Sequence, residues 1–119
     1  MGYYTAYTIN YTIPEGKDRD KLSQELALKL SVINNDLYYA ENCTIEDMIE
    51  EDVMKWYDHE EDMCKLSELF PDVLFTLEGN GEEQDDIWRE YFYCGLFQYA
   101  PAIITFDKFD KNKLKKLSV

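Results

Sequence analysis

"DVLFTLEGNGEEQDDIWREYFYCGLFQY", Asp72–Tyr99, decides the fold. Its β-branched and aromatic runs are separated by turn formers, "GNG" with "EEQD" and then "CG". The segment therefore reads as three consecutive strands, "DVLFTLEG", "DIWREYFY" and "LFQYAPAIITF". Connections this short join antiparallel neighbours, because a parallel crossover needs a dozen or more residues. On the middle strand Asp86, Trp88, Glu90 and Phe92 point one way, and Ile87, Arg89, Tyr91 and Tyr93 the other. Neither set is purely apolar, so one face of this sheet is expected to be partly exposed.

Working back toward the N-terminus, "YYTAYTINYTI" alternates with period two. Tyr3, Thr5, Tyr7, Ile9, Tyr11 and Ile13 share one face of a further strand. "PEGKD" breaks it, and Asp18 or Asp20 is placed to cap a helix whose Leu22, Leu26, Leu30 and Ile33 recur at helical spacing. Thr44, three residues before Asp47, suggests the N-cap of a short second helix. "VMKWY", Val53–Tyr57, reads as a short strand. Asp58 followed by Glu61 suggests a capping box opening a third helix, with Met63, Leu66 and Phe70 inward and Pro71 ending it. The resulting order, β-α-(α)-β-α-β-β-β, predicts a single α+β domain over residues 1–119. It has a mainly antiparallel sheet of four to five strands, two to three helices, and ferredoxin-like character. One sheet face is left for tyrosines, and "DKNKLKKLSV" is a basic tail or last helical turn.

Composition narrows the function classes. The chain has 119 residues, 45% of them hydrophobic and 15% aromatic, which suits a packed globule rather than an acidic disordered tail. Its formal charge of −13 is uneven. Residues 1–40 carry a net −1, residues 41–90 a net −15, and residues 91–119 a net +3. An anionic middle repels nucleic acid and attracts basic protein surfaces. Cys43, Cys64 and Cys94 have no CxxC spacing, and no apolar run approaches the length of a membrane span. Reduced thiols and a cytoplasmic location are the expectation.

Chemistry-bearing patterns are sparse. His59 and Cys64 are five residues apart and do not share a helix face as metal ligands four apart would. His59 is thus expected to be an exposed residue among the acids that open a helix. Glu78, Asn80 and Glu82 alternate in a Gly-rich turn but lack the pattern of a calcium loop. Neighbouring pairs such as Glu82/Glu83 or Asp85/Asp86 would point to opposite strand faces, which argues against an acid–base dyad made from neighbours. No nucleophile elbow or phosphate loop is present. No catalytic residue, metal ligand or cofactor is assigned, and the expectation is a protein that is not an enzyme.

The segment "KWYDHEEDMCKLSELFPDVLFTLEGNGEEQDDIWREYFYCG" followed by "ITFDKFD" resembles a group of small, mostly uncharacterised proteins from phages and mobile elements. In that group a helix, an "FTLEGxGEE" strand-turn and a "DIWxxYF" strand recur together. Small acidic phage proteins often resemble inhibitors of host defence, and anti-CRISPR and anti-restriction proteins commonly place carboxylates where DNA phosphates would sit. By analogy of size, charge and origin, the resemblance implies a DNA-mimicking inhibitor. Its partner would be the basic surface of a host nucleic-acid-handling enzyme such as a CRISPR nuclease. The expected protein-binding residues are Glu50, Glu51, Asp52, Glu82, Glu83, Asp85 and Asp86, with Trp88 and Tyr91 as aromatic anchors. Two alternatives are a small-ligand or metal-binding module at the Gly-rich acidic turn, and a homodimer paired through the edge of the first strand.

Overall fold

The computed structural model describes residues 4–50, 53–83 and 86–117. Four strands form one antiparallel sheet in sequential order: β1 (Thr5–Tyr11), β2 (Phe75–Gly81), β3 (Ile87–Tyr93) and β4 (Leu96–Pro101). Three α-helices separate β1 from β2: α1 (Arg19–Ile33), α2 (Ile45–Ile49) and α3 (His59–Leu69). The expected α+β class is what the chain adopts. A ferredoxin-like chain runs β-α-β-β-α-β; here all three helices precede β2, so the likeness extends to the layering and not to the connectivity.

The helices cover one sheet face. β1 turns Thr5, Tyr7 and Ile9 inward, β2 turns Phe75, Leu77 and Gly79, and β3 turns Trp88, Glu90 and Phe92. Against them pack Leu22, Leu26 and Leu30 of α1, Ile45 and Ile49 of α2, and Met63 and Leu66 of α3. Each large apolar side chain buried there contributes about 1.5–3 kcal/mol. The opposite face carries Arg89, Tyr91 and Tyr93. Tyrosines therefore do occupy the open face on β3, while Tyr7 and Tyr11 of β1 belong to the helix side.

Local signals explain the boundaries. The Asp18 carboxylate accepts from the amides of Asp20 and Lys21 and starts α1. Thr44 and Asp47 form a reciprocal capping box at α2. Cys94 (φ 51°) and Gly95 (φ 83°) turn β3 into β4, and two successive positive-φ residues are what a tight primed hairpin requires.

Four expectations are corrected. Asp58 makes no side-chain cap at α3, whose acidic first turn favours the helix dipole instead. Val53–Tyr57 is not a strand: only Met54 bridges to Thr5, because the connection from α2 crosses the outer edge of β1 and turns directly into α3. "GNG" is the end of β2 rather than a turn, since Gly79 and Asn80 pair with Trp88 and Ile87. The last strand stops at Pro101, and residues 102–117 leave the sheet with only a 3₁₀ turn at Lys111–Lys113.

Candidate functional site

The end of the sheet where β3 begins holds a pocket of about 280 Å³ that encloses both of the chain's tryptophans. Trp88 of β3 lies flat across β2 at Gly79, where a Cβ would sit 2.2 Å from the indole. A glycine is required there by close approach. Trp56, on the connection into α3, stands edge-on to Tyr7 and is fixed by its Nε1–H donating 2.8 Å to the Asp62 carboxylate. Asp62 also accepts from Asn34 at 2.7 Å, which ties the end of α1 to α3 and to this wall. Tyr57 and Tyr99 complete the aromatic rim.

At the centre is Glu90, wholly buried on β3. His59, the first residue of α3, stacks on Trp88 with ring centroids 5.0 Å apart and brings Nδ1 to 2.8 Å from Glu90 Oε1. The contact is close, but it is not aligned as a directed N–H···O bond. Apart from the neighbouring Glu60 carboxyl, neither Glu90 oxygen has another hydrogen-bond partner among the described residues. A buried carboxylate left this way costs stability. Glu60, next on α3, reaches the same carboxyl. A hydrogen bond shared with Glu90, burial, and the nearby Glu90 charge push the Glu60 carboxyl up to about 7. Asp86 lines the pocket from the start of β3.

The site is thus an anionic hollow with aromatic walls. The Glu60 carboxyl holds its proton up to about 7, and a cation entering the hollow would meet both the carboxyl groups and the π faces. Burial, followed by the Glu60 and Glu90 charges, raises the Cys64 thiol above its ordinary value, which lowers its nucleophilicity at neutral pH.

The expected binding residues are distributed unevenly. Asp86 and Trp88 belong to the pocket, but Trp88 is only 8% exposed and forms its wall rather than projecting as an anchor. The cause is Gly79, which lets the indole lie down on β2. Glu82 is at the same end of the sheet and accepts from the Tyr4 amide at 3.0 Å, and Glu83 is exposed in the adjoining turn. Glu50 lies elsewhere. It accepts from the Ile9 amide at 2.8 Å, roughly 17 Å along β1 from Tyr4 at strand spacing, and occupies that position of the strand edge. Tyr91 faces the open side of the sheet, away from the pocket. Glu51, Asp52 and Asp85 lie outside the described residues, as does Tyr3.

Two expectations about chemistry change. His59 is not an exposed helix-start residue: its side chain is 19% exposed and turned onto Glu90, because α3 packs its first turn against β3. A carboxyl pair does form, from Glu60 on α3 and Glu90 on β3 rather than from sequence neighbours. The sequence carried a signal for Glu90, an acid at an inward position between Trp88 and Phe92. At the β1 edge, offered as a dimer seam, Thr5 exchanges both backbone bonds with Met54 and the Ile9 amide donates to Glu50, so part of that edge is occupied within the chain.

No group of His, Cys, Asp and Glu among the described residues has the geometry of a metal site. No described helix is long and apolar enough to cross a membrane. No family model, curated protein or solved structure matches this chain.

Proposed function

We propose that this chain is a non-enzymatic binding protein that recognises a basic protein surface, with the aromatic pocket receiving one lysine or arginine side chain. The observation that carries the reading is Glu90. A fully buried carboxylate whose close polar neighbours are the His59 ring and a second carboxyl, in a pocket lined by both tryptophans, is unfavourable in isolation and becomes favourable when a cation arrives. Around it Asp86, Glu82 and Glu83 supply a negative field that steers a basic partner.

The partner class that fits is the positively charged groove of a nucleic-acid-handling enzyme, and occupation of that groove blocks DNA. The resemblance to phage proteins makes a host defence nuclease, such as a CRISPR effector, the first candidate, reached in the host cytoplasm.

Competition with duplex DNA for such nucleases, read by mobility shift, tests this reading. The protein displaces DNA, and charge reversal at Glu82, Glu83, Asp85 and Asp86 removes the effect. Displacement that survives the reversal sinks the charge-mimic account.

A further inference from the structure

The radius of gyration is 18.1 Å, against about 13.5 Å for a compact chain of this length. Residues 102–117 account for the excess, because every one of them is exposed. The Ala102 amide still bonds the Ile87 carbonyl. Beyond it, the described hydrogen bonds and the Lys113–Asp107 ion pair stay within the segment itself. Yet this arm carries Ile103, Ile104, Phe106, Phe109, Leu114 and Leu117, with Phe106 91% and Leu117 94% exposed. Apolar side chains at this density in water call for a cover.

We propose that a second copy of this chain is the cover, in a two-fold dimer in which each arm lies on the other subunit. Three features make the chain complementary to itself. First, β4 is an outer edge of the sheet, whereas the β1 edge is partly occupied, at Thr5 by Met54 and at Ile9 by Glu50. Since Ala102 points its amide at β3, strand alternation points the backbone groups of Phe97 and Tyr99 outward. Pro101, at the next outward position, has no N–H; it ends the ladder and releases the arm.

Second, antiparallel pairing of β4 with its copy carries each arm toward the other subunit's β3–β4 hairpin. There an apolar hollow of about 460 Å³ opens among Leu74, Tyr91, Tyr93, Leu96 and Phe97. β4 spans about 20 Å and the extended arm about 50 Å, so the reach is ample. Third, the seven charged residues from Asp107 to Lys116 sum to +3, while residues 41–90 sum to −15. An arm of one copy is therefore drawn to the body of the other.

Sedimentation of the full chain at about 100 µM in low salt tests the proposal. The expected result is a closed dimer that dissociates on dilution, and the Phe106→Asp/Phe109→Asp double variant is monomeric with an unchanged circular dichroism spectrum. A wild-type monomer at that concentration, with or without binding to anionic vesicles, overturns the proposal. So does a double variant that still dimerises, or open-ended growth beyond the dimer. Placing aspartates in the arm leaves the Glu90 pocket intact, so this outcome is separate from that of the cation-binding account.

Discussion

His59 Nδ1 lies 2.8 Å from Glu90 Oε1, on a carboxylate that is wholly buried and has the Glu60 carboxyl as its other polar neighbour. A folded chain tolerates such a group at a cost, and the cost is intelligible where the group serves binding. Glu90→Met keeps the length of the side chain and removes its charge. We expect this variant to be more stable by about 1–2 kcal/mol in urea unfolding and to lose affinity for cationic ligands. Loss of both stability and binding would mark Glu90 as structural.

The Glu60 carboxyl gives a pH dependence with a definite sign. Its value is raised from 4.5 to about 7, so the folded state holds a proton there that the unfolded chain gives up. That contribution is complete below about 4.5 and is lost as pH rises through about 7. Glu46 acts on the acid side. Burial raises its carboxyl, but hydrogen bonds from Ser23, Tyr11 and Arg19 bring it below its ordinary value. Its contribution is present above 4.5 and falls away as pH drops through the lowered value. Urea midpoints against pH should decline between 5 and 7 in the native protein, and Glu60→Gln should flatten that decline.

Gly79→Ala places a methyl group in the Trp88 indole. The ring must leave β2, and overpacking of this kind costs about 1–3 kcal/mol. Tryptophan emission should shift to the red as Trp88 gains water, and the second change Trp88→Leu should recover most of the lost stability.

Asp62→Ala leaves the Trp56 indole N–H and the Asn34 amide without their shared acceptor. Loss of one acceptor for two donors costs about 2–3 kcal/mol, measured by chemical denaturation. Asp62→Asn, which keeps an acceptor oxygen, should lose less than half of that.

Much of the fold was legible because its signals are local. The alternation of Thr5, Tyr7 and Ile9, the leucine spacing of α1, and the Thr44/Asp47 cap each act over a few residues. Val53–Tyr57 misled because Val, Trp and Tyr favour strands, while Met54 found room for only one bridge before the chain turned into α3. The site was harder to read. His59 and Glu90 are 31 positions apart, and only the docking of α3 on β3 brings them together. Trp88 was legible as important, but its role as a wall depends on Gly79 across the sheet.

Occupation of the pocket around Glu90 by a cationic side chain can be read directly. Because both tryptophans line it, their fluorescence during titration with an arginine-rich peptide reports occupancy directly. The expected result is saturable quenching that weakens as salt is raised and falls at least about tenfold in affinity in Glu90→Gln, the loss of one charged hydrogen-bonding partner. Emission that does not respond to the peptide, or an affinity unchanged by Glu90→Gln, would contradict it.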